Sequence, residues 1–264
     1  MLLRRLAVLG LAVAGMALLG QSGGEGAKST GIVMTSGSLR FAPATCTMGR
    51  GDLNWKGNSL TVRVLGHRDE KCYFDYTRYE GTAFTNYRCW ASIKDAEVSV
   101  KLSRNAAKEV VVTTSFDLAK CVKTRTGDSA AGTTNYVATE AVATPYKVHG
   151  KCEPKKREAA ASYHVVQDRK DFTAVCNGGD DVLNIAGPAQ VVAVVVPPAK
   201  ANVTLKVVDI VDDKGVLTVK YTAAAAKDAA AATPVLVVST PAMSYKAVSF
   251  VENDKAVHKV DMEK

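Results

Sequence analysis

Aromatic side chains make up only 6% of this 264-residue chain, 17 residues in all, and only two of them are tryptophan. Outside one short stretch the core must be built from Val, Ala and Leu, and the recurrent Val and Thr runs favour strands. CxxC does not occur, so neither a thioredoxin-type redox motif nor a zinc knuckle is suggested. The four histidines, His67, His149, His164 and His258, are scattered and no HExxH is present, so no spacing argues for a metal site or a cofactor. Past the first 20 residues no apolar run is long enough to span a bilayer, and the strongest, Val191 to Val196, has the length of a strand. The net charge is +8, yet no dense basic stripe points to nucleic acid.

At the N-terminus, Arg4-Arg5 precedes the 15-residue apolar run Leu6 to Gly20 and the small polar residues Gln21 to Gly24. That is the layout of a secretory signal over 1–24, with an uncleaved anchor as the alternative and no membrane span once the segment is removed. Loss of Arg4 and Arg5 would leave a charge of +6, which favours anionic surfaces such as polysaccharide, membrane or acidic protein. Six cysteines in an exported chain imply disulfides, with 15 possible connectivities.

The most informative stretch is Cys72 to Trp90, which holds seven of the 17 aromatics and two cysteines. Folded as a β-hairpin on Glu80-Gly81, it places Cys72 opposite Cys89, Phe74 opposite Tyr87 and Tyr76 opposite Thr85 on one face. The expectation is a Cys72–Cys89 bridge pinning the hairpin. The other face carries Tyr73, Tyr79, Phe84, Arg88 and Trp90, either an exposed aromatic binding platform or a surface packed under a neighbouring element. A Cys121–Cys152 pair is expected next, which leaves Cys46 and Cys176 for each other or, for Cys176, a buried thiol.

Along the chain, 25–38 reads as a flexible Gly/Ser leader. Residues 39–150 read as an all-β domain, with strands at Leu60 to Leu65, Ala96 to Leu102 and Lys108 to Phe116, a turn at Asn105, and a loop over Thr124 to Asn135. The charged 151–161 stretch reads as a linker. In 162–264, Asp168 caps a helix running to about Asn177, stopped by Gly178-Gly179. Gln190 to Val196 reads as a buried central strand, Asn202 to Tyr221 as a hairpin turning at Asp213-Lys214-Gly215, and Thr222 to Thr233 as a mobile loop. Val235 to Val238 and Lys246 to Val251 close the domain. The fold class expected is mainly β: two small domains, sandwich or barrel-like, the second α+β with one short helix.

The order YHVVQDRKDFTAVCN, QVVAVVVPP, VTLKVVDIVDDKGVLTVKY and LVVSTPAMSYKAVSFV resembles the C-terminal domain of the PrcB protease-complex proteins. The matches are Asp168 and Phe172, Val191 to Val196, the Val203 to Tyr221 hairpin, and Thr240-Pro241. Ala199 to Asn202 replaces the Gly-Gly-Tyr-like turn usual in that family, which puts any contact made there in doubt. The resemblance covers Ser162 to Val260 and implies an accessory of a surface protease. It carries over no catalytic residues.

Two motifs have ordinary explanations. Gly127-Asp128-Ser129 superficially matches a protease nucleophile loop, but the Ser lacks the context of a triad and suits a turn. Arg50-Gly51-Asp52 is the adhesion tripeptide, three residues that turns also favour. The expected function is therefore a non-enzymatic binding or assembly module, secreted, periplasmic or at the cell surface. Its partner would be a protein, with a protease as one candidate, or alternatively a cell-envelope polysaccharide.

Overall fold

The computed structural model describes residues 31–150, 152–178, 190–228, 232–233 and 235–262. The expected signal segment and 25–30 of the expected leader lie outside them. The first half holds β1 (Ile32–Thr35), β2 (Ser38–Phe41), β3 (Gly49–Trp55), β4 (Asn58–Arg68), β5 (Lys71–Glu80), β6 (Ala83–Ser92), β7 (Val98–Arg104), β8 (Val110–Thr114), β9 (Val122–Asp128) and β10 (Thr133–Tyr136). They form a four-stranded sheet, β1-β2-β7-β8, and a six-stranded sheet, β10-β9-β6-β5-β4-β3. Leu39, Phe41, Val98, Val100 and Leu102 of the smaller sheet meet Leu60, Val62, Val64, Phe74 and Tyr76 of the larger. Phe74 sits edge-on between Phe41 and Phe116, with ring centroids 5.4 and 5.1 Å away. The two sheets make a sandwich, not a barrel.

The second half holds β11 (Val142–Ala143), β12 (Lys147–His149), β13 (Glu153–Pro154), β14 (Ser162–Val166), α1 (Arg169–Val175), β15 (Cys176–Asn177), β16 (Gln190–Val196), β17 (Val203–Asp213), β18 (Val216–Ala225), β19 (Leu236–Pro241), β20 (Ala247–Glu252) and β21 (Lys255–Asp261). A five-stranded sheet, β11-β17-β18-β20-β21, includes one parallel pair, β18 with β20. It covers one face of the sheet β12-β19-β16-β14, while α1 and the β13–β15 ladder cover the other. Val191, Ala193 and Val195 therefore face Ile210, Leu217 and Phe250, and Val192, Val194 and Val196 face Phe172 and Val235. A strand buried on both sides needs apolar residues at every position, which is why β16 is an unbroken apolar run. Asp168 accepts from the Asp171 amide at 2.8 Å and caps α1 as the sequence predicts.

Several expectations are corrected. Ile32–Thr35, placed in the leader, pairs with β2, and Ile32 packs on the core. β11 and β12 pair with β17 and β19 of the second half, so 142–149 belongs with that half's sheets. Of the expected 151–161 linker, the described part from Cys152 is tied down by β13 and a disulfide at Cys152. The expected loop Thr124 to Asn135 is the β9–β10 hairpin. Its turn is held by Asp128, which accepts from the amides of Ala130 and Ala131 at 2.8 and 3.2 Å. α1 ends at Val175, before Gly178, because Cys176 is extended and locked in its bridge and in β15. The 222–233 segment is strand to Ala225; residues 229–231 lie outside the described residues.

The disulfides are Cys46–Cys72, Cys89–Cys121 and Cys152–Cys176, so the Cys72–Cys89, Cys121–Cys152 and Cys46–Cys176 pairings are all overturned. The cause is register. The hairpin turns on Gly81-Thr82, with Cys72 opposite Ala91 and Phe74 opposite Cys89. Gly81 takes the positive φ (+63°) at the first central position, whereas a turn on Glu80-Gly81 would demand it of Glu80. Cys72 and Cys89 become diagonal neighbours, about 7–8 Å apart by strand geometry and beyond normal disulfide reach. The slip is by two residues, so every side chain keeps its face. Three disulfides mark a protein of an oxidising compartment. No helix among the described residues is long and apolar enough to cross a membrane.

Candidate functional site: a polar cleft between the two halves

The outer face of the six-stranded sheet is polar and largely buried. Thr61, Asp75, Thr77, Asn86, Arg88, Thr124 and Arg125 lie on it, each less than a tenth exposed. Such groups must be hydrogen-bonded to be tolerated, and they form a network. Asn86 donates to Thr77 Oγ1 at 2.8 Å, and Thr124 donates to Asn86 Oδ1 at 2.6 Å. Arg88 Nε reaches Asp75 Oδ1 across the strand pair at 2.5 Å. Burial opposes the charge on Arg88, but the Asp75 carboxylate holds the guanidinium above the ordinary arginine value.

Three arginines of this half grip the second half. Arg88 Nη1 donates to the Ala143 carbonyl at 3.1 Å. Arg68 donates to Asp209 at 2.5 Å and to the Ile210 carbonyl at 3.1 Å. Arg125 pairs with Asp212, whose other oxygen accepts from the Gly215 amide at 2.8 Å. Tyr136 rests against the Lys214-Gly215 turn of the β17–β18 hairpin and under the Arg125 guanidinium.

Where the second half stops covering this face, a cleft of about 300 Å³ remains. Arg50, Arg63, Arg125 and Asp75 supply its charges, Tyr79 and Phe84 its rings, and Met243 and Ser244 lean in from the second half. Arg63 Nη1 contacts Met243 Sδ at 3.6 Å. Burial holds the Arg63 guanidinium below the ordinary arginine value; Asp75 and Tyr245 work against that, while Arg88 and Arg50 add to it. Arg125 Nε and Arg88 Nη2 are buried with no acceptor among the described residues.

The expected five-residue face is thus divided. Tyr73 and Arg88 are buried, 9% and 3% exposed, under the second half. Tyr79 and Phe84, ring centroids 6.2 Å apart, line the cleft. Trp90 is 47% exposed at the far end, with Lys71 Nζ 4.1 Å from its ring centre. Neither reading of the face holds throughout. Arg63, Arg125, Asn86 and Ser244 are cleft residues that sequence reasoning misses. The available signal was the alternation of polar residues along β4, β5 and β6 between apolar ones. Arg50-Gly51-Asp52 lies in β3 and not in a turn; Arg50 and Asp52 pair at 3.0 Å on the cleft side, and Gly51 points at Leu39.

Ser129 lies in the β9–β10 turn and donates to the Thr82 carbonyl at 2.9 Å. It lines the cleft, whereas His67 lines a second cavity of about 470 Å³ with Met48, Leu65, Tyr146 and Gln190. His149 and Ser239 pair at 2.8 Å with both side chains buried, a satisfied core pair on β12 and β19.

Family models, curated proteins and solved structures give no match to this chain.

Proposed function

We propose that this chain is an exported, non-enzymatic binding module whose ligand seats in the polar cleft. The single observation that carries the reading is the cleft itself. There a hydrogen-bonded, arginine-rich sheet face is left open beside two aromatic rings, where the second half stops covering it. Ligand sites are concave and carry a few convergent polar groups on a rigid frame. Export is supported by Arg4-Arg5 with the apolar run behind it and by the three disulfides, and the product would act in the periplasm, at the cell surface or in the medium.

The test is a cleft-filling variant, Ser244→Trp, compared with the native chain for retention of envelope glycans and for unfolding midpoint. Retention by the native chain, lost in the variant at unchanged midpoint, supports the reading; equal retention by both refutes it. A second reading, a subunit accessory to a secreted protease, is favoured by the element order of Ser162 to Val260, which runs strand, helix, apolar strand, long hairpin and closing strands. It requires a protease to co-migrate with the purified chain at fixed stoichiometry.

A further inference from the structure

We propose that the cleft's ligand is a sugar acid: a hydroxyl-bearing ring with one carboxylate, free or as a residue of a polymer. The inference rests on the cleft being the binding site and adds the class of ligand. Charge comes first. The lining carries three guanidinium groups and one carboxylate, and once the partners of Arg50, Arg125 and Asp75 are counted (Asp52, Asp212 and Arg88) four guanidiniums stand against three carboxylates, an excess of one positive charge. The cleft is therefore positive as it stands. Arg125 is only 5% exposed, and its Nε is a buried charged donor with no acceptor among the described residues. Its Nη2 is committed to Asp212, so the second half does not supply what Nε lacks. A carboxylate presents two acceptor oxygens to guanidinium donors and is the smallest ligand group that answers this arrangement.

The rest of the lining selects the body of the ligand. Met243 is its one aliphatic side chain; Thr134 and Ser244 present hydroxyl groups, beside Thr77 and Asn86, which are bonded to each other. A ring bearing several hydroxyls finds partners there, and an apolar side chain does not. Tyr79 and Phe84 form a tilted aromatic wall against which the C–H face of a ring can pack, since aromatic faces carry negative charge density. A volume of about 300 Å³ lies at the small end of ligand pockets, room for a single ring. An extended peptide would use a bare strand edge or apolar pockets for alternate side chains. The cleft lies on a sheet face and is walled by polar groups.

The experiment is calorimetric titration of the full chain, disulfides intact, with glucuronic acid, a tetra-uronate and a neutral tetrasaccharide of the same length, at low and physiological salt. The acid sugars bind, the neutral sugar binds at least tenfold more weakly, and added salt narrows the gap. Arg63→Gln brings the acid down to the neutral value, and Tyr79→Ala, at a partly buried position, weakens both. Free glucuronate binding as tightly as the tetramer identifies a free sugar acid; binding of the tetramer alone identifies a polymer. Equal binding of acid and neutral sugars overturns the ligand class but leaves the cleft reading standing, provided Ser244→Trp abolishes both. Acid-sugar binding that Ser244→Trp leaves unchanged overturns the cleft as its site. Absence of binding by all three sugars overturns the inference.

Discussion

Removing Asp75 should be among the most damaging single changes in this protein. Asp75 and Arg88 face each other on β5 and β6, with side chains 4% and 2% exposed, and Arg88 reaches on to the Ala143 carbonyl. Asp75→Ala leaves a guanidinium buried without its counter-charge, which costs about 3–5 kcal/mol. With a urea m-value of about 3 kcal/mol/M, the midpoint falls by about 1–1.7 M. The paired change Asp75→Leu with Arg88→Met removes both charges and should recover at least half of that loss, because well-packed apolar residues can replace a buried ion pair. The remainder is about 1–2 kcal/mol for the Ala143 carbonyl, now without its donor. The assay is urea unfolding under non-reducing conditions, followed by circular dichroism. A midpoint shift under about 0.3 M for Asp75→Ala, the size expected of a solvent-exposed bridge, would refute the burial argument. A double variant no better than the single would refute the attribution to an orphaned charge.

Other consequences can be checked independently. Mass spectrometry of an unreduced digest should yield Cys46–Cys72, Cys89–Cys121 and Cys152–Cys176 peptides; a Cys72–Cys89 peptide would contradict the hairpin register. Gly215→Ala should cost about 1–3 kcal/mol, measured as a urea midpoint shift, because Gly215 has φ +85° and an added Cβ would lie 2.4 Å from Tyr136 Cζ. Burial raises the phenols of Tyr73, Tyr76, Tyr136, Tyr221 and Tyr245 above their ordinary value. A raised folded value means that stability is intact below the unfolded value, about pH 10, and falls as pH rises beyond it. The urea midpoint should therefore drop between pH 10 and 11, and a flat profile would count against the burial of these rings.

What the sequence makes legible follows from how local each signal is. The unbroken Val191–Val196 run and the Asp168 cap can be read in place, because burial on both faces and an N-cap each leave a mark within a few residues. The two faces of the Cys72–Trp90 hairpin can be read because side-chain direction has period two and survives a slip of two. The disulfides cannot, because that same slip turns an opposed pair of cysteines into a diagonal one, and spacing does not rank the alternatives. The cleft is less legible still. Arg63 and Arg125 look like ordinary solvent-facing positions in alternating strands. Only the approach of Met243 and Ser244, more than a hundred residues away, makes them walls of a cavity. β21 was likewise unread: its run KAVHKVD is mostly exposed and shows no apolar face.

The polar seam also explains why a cleft can persist beside it. An apolar seam between two β units would gain by closing every gap, since burial of apolar surface has no direction. Here the halves are joined through Arg68, Arg88 and Arg125, each bound to acceptors at fixed positions on β11 or β17. Hydrogen bonds to buried charges are directional and costly to leave unmade, so they fix one relative orientation instead of rewarding further approach. The uncovered part of the sheet face is held open by the same contacts that close the rest. A site built this way is formed before its ligand arrives, and binding there does not have to order its walls. Breaking any one of the three arginine contacts should therefore loosen the cleft as well as the fold, although of the three only Arg125 touches the cavity.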